Sequence, residues 1–199
     1  MHISSEYEDQ VIAQIGCRTW CGVDEAGRGP LAGPVFAAAV ILPSGFEHDD
    51  LNDSKLLSEK KREELFEIIC ADSIYGIASS SVEEIEKYNI LGATIIAMNR
   101  AILQLIPQPD HALIDGNRNK GIIINSTCVV KGDAKCPSIA AASILAKVSR
   151  DRYMCELAKQ YPDYGFDRNK GYGTKEHYLM INRFGPSPVH RPSFLRKMH

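Results

Sequence analysis

The sequence contains no run of about eighteen uncharged apolar residues, so none of its segments reads as a membrane span. Its opening, MHISSEYEDQ, is acidic and polar rather than basic leading into apolar, and no signal peptide is expected. There is no CxxC, and no second cysteine pair to join Cys17 and Cys21 in a four-ligand zinc site. The six cysteines therefore read as reduced, small apolar fillers, and a cytoplasmic protein is expected. No GxxxxGK[ST] occurs, which excludes a P-loop nucleotide switch. Repeats and low-complexity tracts are absent as well. Strong net charge is lacking too: 23 Lys and Arg against 25 Asp and Glu leave −2, unlike a protein that coats nucleic acid indiscriminately.

What is present suits one domain of ordinary size: 199 residues, 44% of them apolar, enough for a sizeable core. RTWCGVDEA, PVFAAAVIL, SIYGIASSSV, HALIDGN and IINSTCVVKGD read as strands bounded by Gly, Pro and Asp breaks. SEKKREELFEIICA follows the capping candidate Ser58 and reads as a helix. ILGATIIAMNRAILQLI predicts a largely buried helix ending at Pro107, and PSIAAASILAKVSRDRYMCELAKQ a long one opening on Pro137. TKEHYLMINRFG and HRPSFLRKM give shorter basic helices. The order implies an α/β fold, a mixed central sheet flanked by helices with a small helical C-terminal cap. From Gly165 to His199 seven Lys and Arg face two Asp and Glu, a local +5 on a body of −7. Such a tail can bind a polyanion locally, or be an ordinary solvated face.

Three of the apolar runs end in acid: one at Asp24 and Glu25, one at Asp115, one at Asp133. Each has an ordinary explanation, since Asp-Gly is turn chemistry and a carboxylate ahead of a helix is favoured by its dipole. If the strands are neighbours, however, four carboxylates converge at one edge of the sheet, and no turn preference requires that. Buried together they repel unless a cation joins them. Oxygen donors without His or Cys suit a hard cation, Mg²⁺ or Mn²⁺. Carboxylates shared between two such ions, about 4 Å apart, serve phosphoryl transfer at a polynucleotide. Adjacent residues of a straight strand point to opposite faces, so Asp24 and Glu25 share a site only if the chain bends or twists at Ala26-Gly27.

Two loops extend the pattern. Gly27-Arg28-Gly29 removes the Cβ atoms that would hold a ligand off the backbone and adds a fork of donors suited to phosphate. DYGFDRNKGYGTKEH interleaves aromatic rings with Arg168, Lys170 and Lys175, a mixture that can stack on sugars or bases and meet phosphates. Either loop alone is as easily a turn packed on the body.

GVDEAGRGPLAGPV, NDSKLLSEKKREEL, LIDGN, VKGDAKCPSIAAASILAKVSRDR and YGFDRNKGYGT, in this order from Gly22 to Thr174, resemble ribonuclease HII, the type 2 ribonuclease H family. Arg28 separates the chain from the sister family ribonuclease HIII, whose loop reads GKG. The resemblance implies a ribonuclease H-like fold, with residues 16–160 as catalytic domain and 161–199 as a basic helical segment contributing to substrate binding. It implies an endoribonuclease that hydrolyses the RNA strand of RNA–DNA hybrids. The same enzyme would incise 5′ of single ribonucleotides in duplex DNA, leaving 3′-hydroxyl and 5′-phosphate ends. Two ions of Mn²⁺ or Mg²⁺ would be held by Asp24, Glu25, Asp115 and Asp133. The backbone of Gly27, Arg28 and Gly29 would read the 2′-hydroxyl, and Tyr172 would sense the substrate. A monomer is expected. Leu56 and Asn169 stand where family members commonly carry a lysine and a histidine, which bears on substrate affinity rather than chemistry. The competing readings are a non-catalytic hybrid-binding module of the same fold, or a resolvase- or integrase-type nuclease lacking the two loops.

Overall fold

A computed structural model of the chain describes residues 3–46, 48, 51 and 57–196. Its strands are β1 (Trp20–Ala26), β2 (Val35–Ile41), β3 (Ile74–Ser80), β4 (His111–Asp115) and β5 (Asn125–Val129). They form one sheet in the order β3-β2-β1-β4-β5. β1, β2 and β3 pair antiparallel, whereas β1 with β4 and β4 with β5 run parallel. Each predicted strand is thus found, in a mixed sheet with β1 at its centre.

The helices are α1 (Glu6–Ile15), α2 (Glu59–Asp72), α3 (Val82–Ile102), α4 (Pro137–Gln160), α5 (Phe166–Asn169), α6 (Lys175–Phe184) and α7 (Pro192–Leu195). Strand alternation sorts the core into two layers. Ala38 and Val40 bury against Ala140, Ile144 and Leu145 of α4, with Leu65 and Ile69 of α2 behind them. Cys21, Val23, Ala37 and Ala39 bury against Ala97, Met98 and Ala101 of α3. Trimming one of the fully buried leucines to alanine costs about 2–5 kcal/mol in such a core. The small residues of α4 let it lie on the backbone of β1. A Cβ on Gly22 would come within 2.1 Å of the Ser138 carbonyl carbon.

Helix ends follow local chemistry. The Ser58 side chain caps α2 by accepting from the Lys61 amide at 3.2 Å, as its position predicted. α3 differs from expectation at both ends, starting at Val82 and stopping at Ile102 rather than running to Pro107. Asn89, with φ of 57°, breaks it, and its Oδ1 accepts from the amides of Leu91 and Gly92, recapping the second half. α1 was not legible in its acidic opening; Ile12 packs with Leu113, Val129 and Ile139. At the N-terminus of α4 stands Glu8 of this helix, whose carboxylate accepts from the Ser138 amide at 3.0 Å.

Beyond α4 the chain stays on the body. Tyr164, Phe166 and Ile181 share an apolar cluster with Leu31, Ala32, Met154 and Leu157. The tail's charge is less open than its count suggests: Arg191 is fully buried and Arg168 pairs with Asp167 and Glu176. Among the described residues no helix is long and apolar enough to cross a membrane.

Candidate active site

The parallel pairing of β1 with β4 aligns Val23 with Ile114. The next residue on each strand is an acid, Asp24 and Asp115. Ligand sites of open α/β sheets form at such carboxyl ends, where neighbouring parallel strands lead off differently. Asp24 lies on the α4 side and is 5% exposed, and the Ser143 hydroxyl of α4 and the Glu25 amide donate to its carboxylate. Burial above all, then the charges of Glu25 and Asp115, hold the Asp24 carboxyl well above the usual carboxylate range.

β1 stays paired with β2 through Ala26, so the bend that would bring Asp24 and Glu25 to one face is not made within the strand. Glu25 instead lines a 620 Å³ cavity walled by Tyr88, Leu91 and Ile95 of α3 and by the 115–120 loop. There the Arg28 guanidinium donates to Glu25 Oε1 at 2.9 Å. Asp115 borders the same cavity, and its Oδ1 accepts from the Gly132 amide at 2.7 Å. Asp133 follows in a single 3₁₀ turn, Gly132–Ala134, and is buried. The structure thus brings Asp24, Glu25 and Asp115 into mutual electrostatic range, with Asp133 one residue from the amide that anchors Asp115. Among the described residues no three His, Cys, Asp or Glu side chains stand as a finished ligand set. Glu25 meets the Arg28 guanidinium and Asp115 the Gly132 amide.

The donor chemistry nonetheless fits a hard divalent cation. Every donor is an oxygen, and the central carboxyl is buried and repelled by two others, so a cation is the partner that relieves it.

The two loops meet beside the acids. Tyr172, 44% exposed, lies 3.7 Å from the position a Cβ of Gly29 would take. Its ring faces the Arg150 guanidinium, 5.8 Å from the centroid. The Leu31 amide donates to the Gly171 carbonyl at 2.8 Å, tying the loops by their backbones. Asn169 is buried: its amide donates to the Tyr164 carbonyl and its Oδ1 accepts from the Gly171 amide, so it shapes the turn that presents Tyr172. Leu56 lies outside the described residues.

Two residues escaped the sequence reading. Arg150 occupies a buried stripe of α4 at helical spacing with Ser143, Ala146, Met154 and Leu157, and a cation inside an apolar stripe was the available signal. Arg191 sits before Pro192 in a tail rich in cations, and nothing in its neighbourhood set it apart.

The family model described as Ribonuclease HII matches residues 21–197. A Ribonuclease HII of Endomicrobium trichonymphae is 57% identical over 175 residues, 87% of this chain and 83% of that relative. The ribonuclease HII in the PCNA:RNase HII complex from Archaeoglobus fulgidus superposes with TM-score 0.70 at 26% identity, covering 88% of this chain and 94% of its own. Bst-RNase HIII, solved in complex with Mn²⁺, shares the fold with TM-score 0.63 at 18% identity, over 84% of this chain and 63% of that one.

Proposed function

The chain belongs to the ribonuclease HII family and is an endoribonuclease of the ribonuclease H type; we propose that it incises duplex DNA 5′ of a single embedded ribonucleotide. It would also cut the RNA strand of RNA–DNA hybrids, in each case leaving 3′-hydroxyl and 5′-phosphate ends. The observation that carries this is a buried, repelled Asp24 at the strand ends, beside a loop pair that can feel a sugar edge.

Asp24, Glu25, Asp115 and Asp133 would hold two ions of Mg²⁺ or Mn²⁺. When bound, these supply activation of water and neutralisation of the charge that gathers on the phosphate. The chain's own groups do the rest. Ser143 and the Glu25 amide anchor the Asp24 carboxylate, and the Gly132 amide anchors Asp115, so two of the donors are already oriented from the protein side. Arg28 lies at the cavity mouth, half exposed, with a planar fork suited to a phosphate oxygen. Gly27, Arg28 and Gly29 offer backbone donors to the 2′-hydroxyl, and Tyr172 closes on the same sugar from the opposite loop. A 2′-hydroxyl both donates and accepts, which is what distinguishes RNA from DNA at one position. In this reading residues 16–160 carry the chemistry, residues 161–199 complete substrate binding through Tyr172, and the monomer is the working unit.

The test is a labelled DNA duplex carrying one ribonucleotide, incubated with Mg²⁺, with Mn²⁺ or with chelator, beside an all-DNA duplex. Metal-dependent incision 5′ of the ribonucleotide with the control intact is expected. Binding without incision under both metals would mean a hybrid-binding module. Cleavage of the control would remove the 2′-hydroxyl reading.

A further inference from the structure

The peptide groups between Gly27 and Gly33 are held from beneath by one side chain. Arg191 has no exposed surface, and its Nε donates to the Gly33 carbonyl at 2.9 Å. Its Nη1 donates to the carbonyls of Arg28 (3.0 Å) and Pro30 (2.8 Å), and its Nη2 to that of Gly27 (2.7 Å). Four of the five donors of a guanidinium are thus spent on a single loop. The backbone around it runs as a short antiparallel bridge: the Arg191 amide donates to Leu31 and the Gly33 amide to Val189. The neighbouring cation, Arg150, takes the carbonyls of Ala32, Pro34 and Lys170.

Peptide planarity gives this a consequence. In a trans peptide the C=O and the following N–H point in opposite directions. Drawing the carbonyls of Gly27 and Arg28 onto Arg191 therefore turns the amides of Arg28 and Gly29 away from it. Gly27 has φ of +96°, and a Cβ there would meet Arg150 Nε at 2.0 Å, so no side chain is tolerated at this turn.

We infer that Arg191, far along the chain from the acids, is a positioning residue for ribonucleotide discrimination. By clamping the Gly27 and Arg28 carbonyls it presents the next two amides as fixed donors to the 2′-hydroxyl. The inference rests on the reading that this loop senses the 2′-hydroxyl. A stability role alone accounts poorly for the choice of residue. A buried charge beside a second buried guanidinium costs desolvation and repulsion that an apolar side chain would not, and such charges are weak contributors to net stability. What the guanidinium supplies is a fork of fixed direction. Phe194 braces it from the other side, 5.0 Å from ring centroid to Cζ.

The test compares Arg191→Lys, Arg191→Met and Phe194→Leu with the unaltered chain. Two substrates are used, a duplex with a single ribonucleotide and a continuous RNA–DNA hybrid, where neighbouring sugars share the recognition. Lysine keeps the charge and loses the fork. The ratio of single-ribonucleotide to hybrid kcat/KM is expected to fall about tenfold or more in Arg191→Lys and further in Arg191→Met. The Mn²⁺-induced rise in Tm should be retained, since the acids are untouched. Phe194→Leu leaves every donor in place and is expected to lower the ratio by a smaller factor. It also keeps the inference exposed if both Arg191 variants fail to fold. A folded variant that loses both substrates equally, or neither, overturns the positioning role. Failure of the unaltered chain to incise the single-ribonucleotide duplex would instead overturn the functional reading on which the inference stands.

Discussion

The two halves of the site treat charge in opposite ways. At the ends of β1 and β4 the acids Asp24 and Asp115 sit side by side, supported by a hydroxyl and backbone amides, with the Arg28 guanidinium turned to Glu25. Under the 27–33 loop two buried guanidiniums have their donors committed to seven carbonyls. In the first region the buried Asp24 is repelled by Glu25 and Asp115. The second is saturated, and its groups have few alternatives. Acids that repel one another suit a cation, whereas a loop held by fixed hydrogen bonds keeps a shape. Under the proposed function, chemistry and discrimination would fall to different physical devices that adjoin between Glu25 and Gly27.

Asp24→Asn breaks the comparison most severely. Turnover with Mg²⁺ or Mn²⁺ is expected to fall about 100- to 1,000-fold or more, the scale of removing one preorganised electrostatic group. Stability should move the other way. The Asp24 carboxyl is raised by burial, then by Glu25 and Asp115, so the folded state holds its proton more tightly than the unfolded state does. Stability is therefore lost as pH rises through that raised value, and the ionised group is a burden at neutral pH. The metal-free Asn variant should melt above the metal-free parent at pH 7. A lower Tm with unchanged activity would remove Asp24 from the centre of the site.

Metal addition sharpens the same contrast by a smaller amount. A cation that binds only the folded chain stabilises it by about 2.7 kcal/mol at a hundredfold excess over its dissociation constant. Mn²⁺ or Mg²⁺ is thus expected to raise the parent's Tm and to raise that of Asp24→Asn little. Equal shifts in both would place the cation elsewhere.

How far all this was readable depends on whether a feature is local. The strands announced themselves because apolar alternation and Gly-Asp breaks are written in consecutive residues, and three of them ended visibly in acid. Ser58 was legible as a cap for the same reason. The reach of α3 was not, because Asn89 acts as both a break and a new cap, which propensity alone does not distinguish. The role of Arg191 was invisible in principle, and Arg150 showed only as a cation inside an apolar stripe. Apart from the Lys170 carbonyl, 20 residues on, their partners lie 116 to 164 residues away in sequence, and all are backbone carbonyls, which any residue type supplies. The part that Asn169 plays was hidden for a related reason, since its two partners are again main-chain groups.

The smallest predicted effect concerns the saturated region, where two histidines link the tail to Tyr172. The Ser187 amide donates to His190 Nδ1 at 2.9 Å, so the His190 proton lies on Nε2 and points to His177 Nε2, 3.0 Å away. His177 then carries its proton on Nδ1 and donates to the Tyr172 carbonyl at 2.8 Å. Every link of this relay requires neutral rings, since a proton added to either would set two N–H groups against each other. Burial, then the other imidazole, pushes His190 down to about 4, and burial lowers His177 as well. A histidine depressed in the folded state binds its proton more readily when unfolded. Its contribution is therefore complete above the unfolded value and is lost as pH falls from about 6.5 toward 4. Between pH 6.5 and 5.5 the loss from His190 should be about 1 kcal/mol. Tm measured across that interval should slope more steeply for the parent than for His190→Asn, whose side chain does not titrate. Equal slopes would mean that the relay does not govern how the tail holds Tyr172 against the loop.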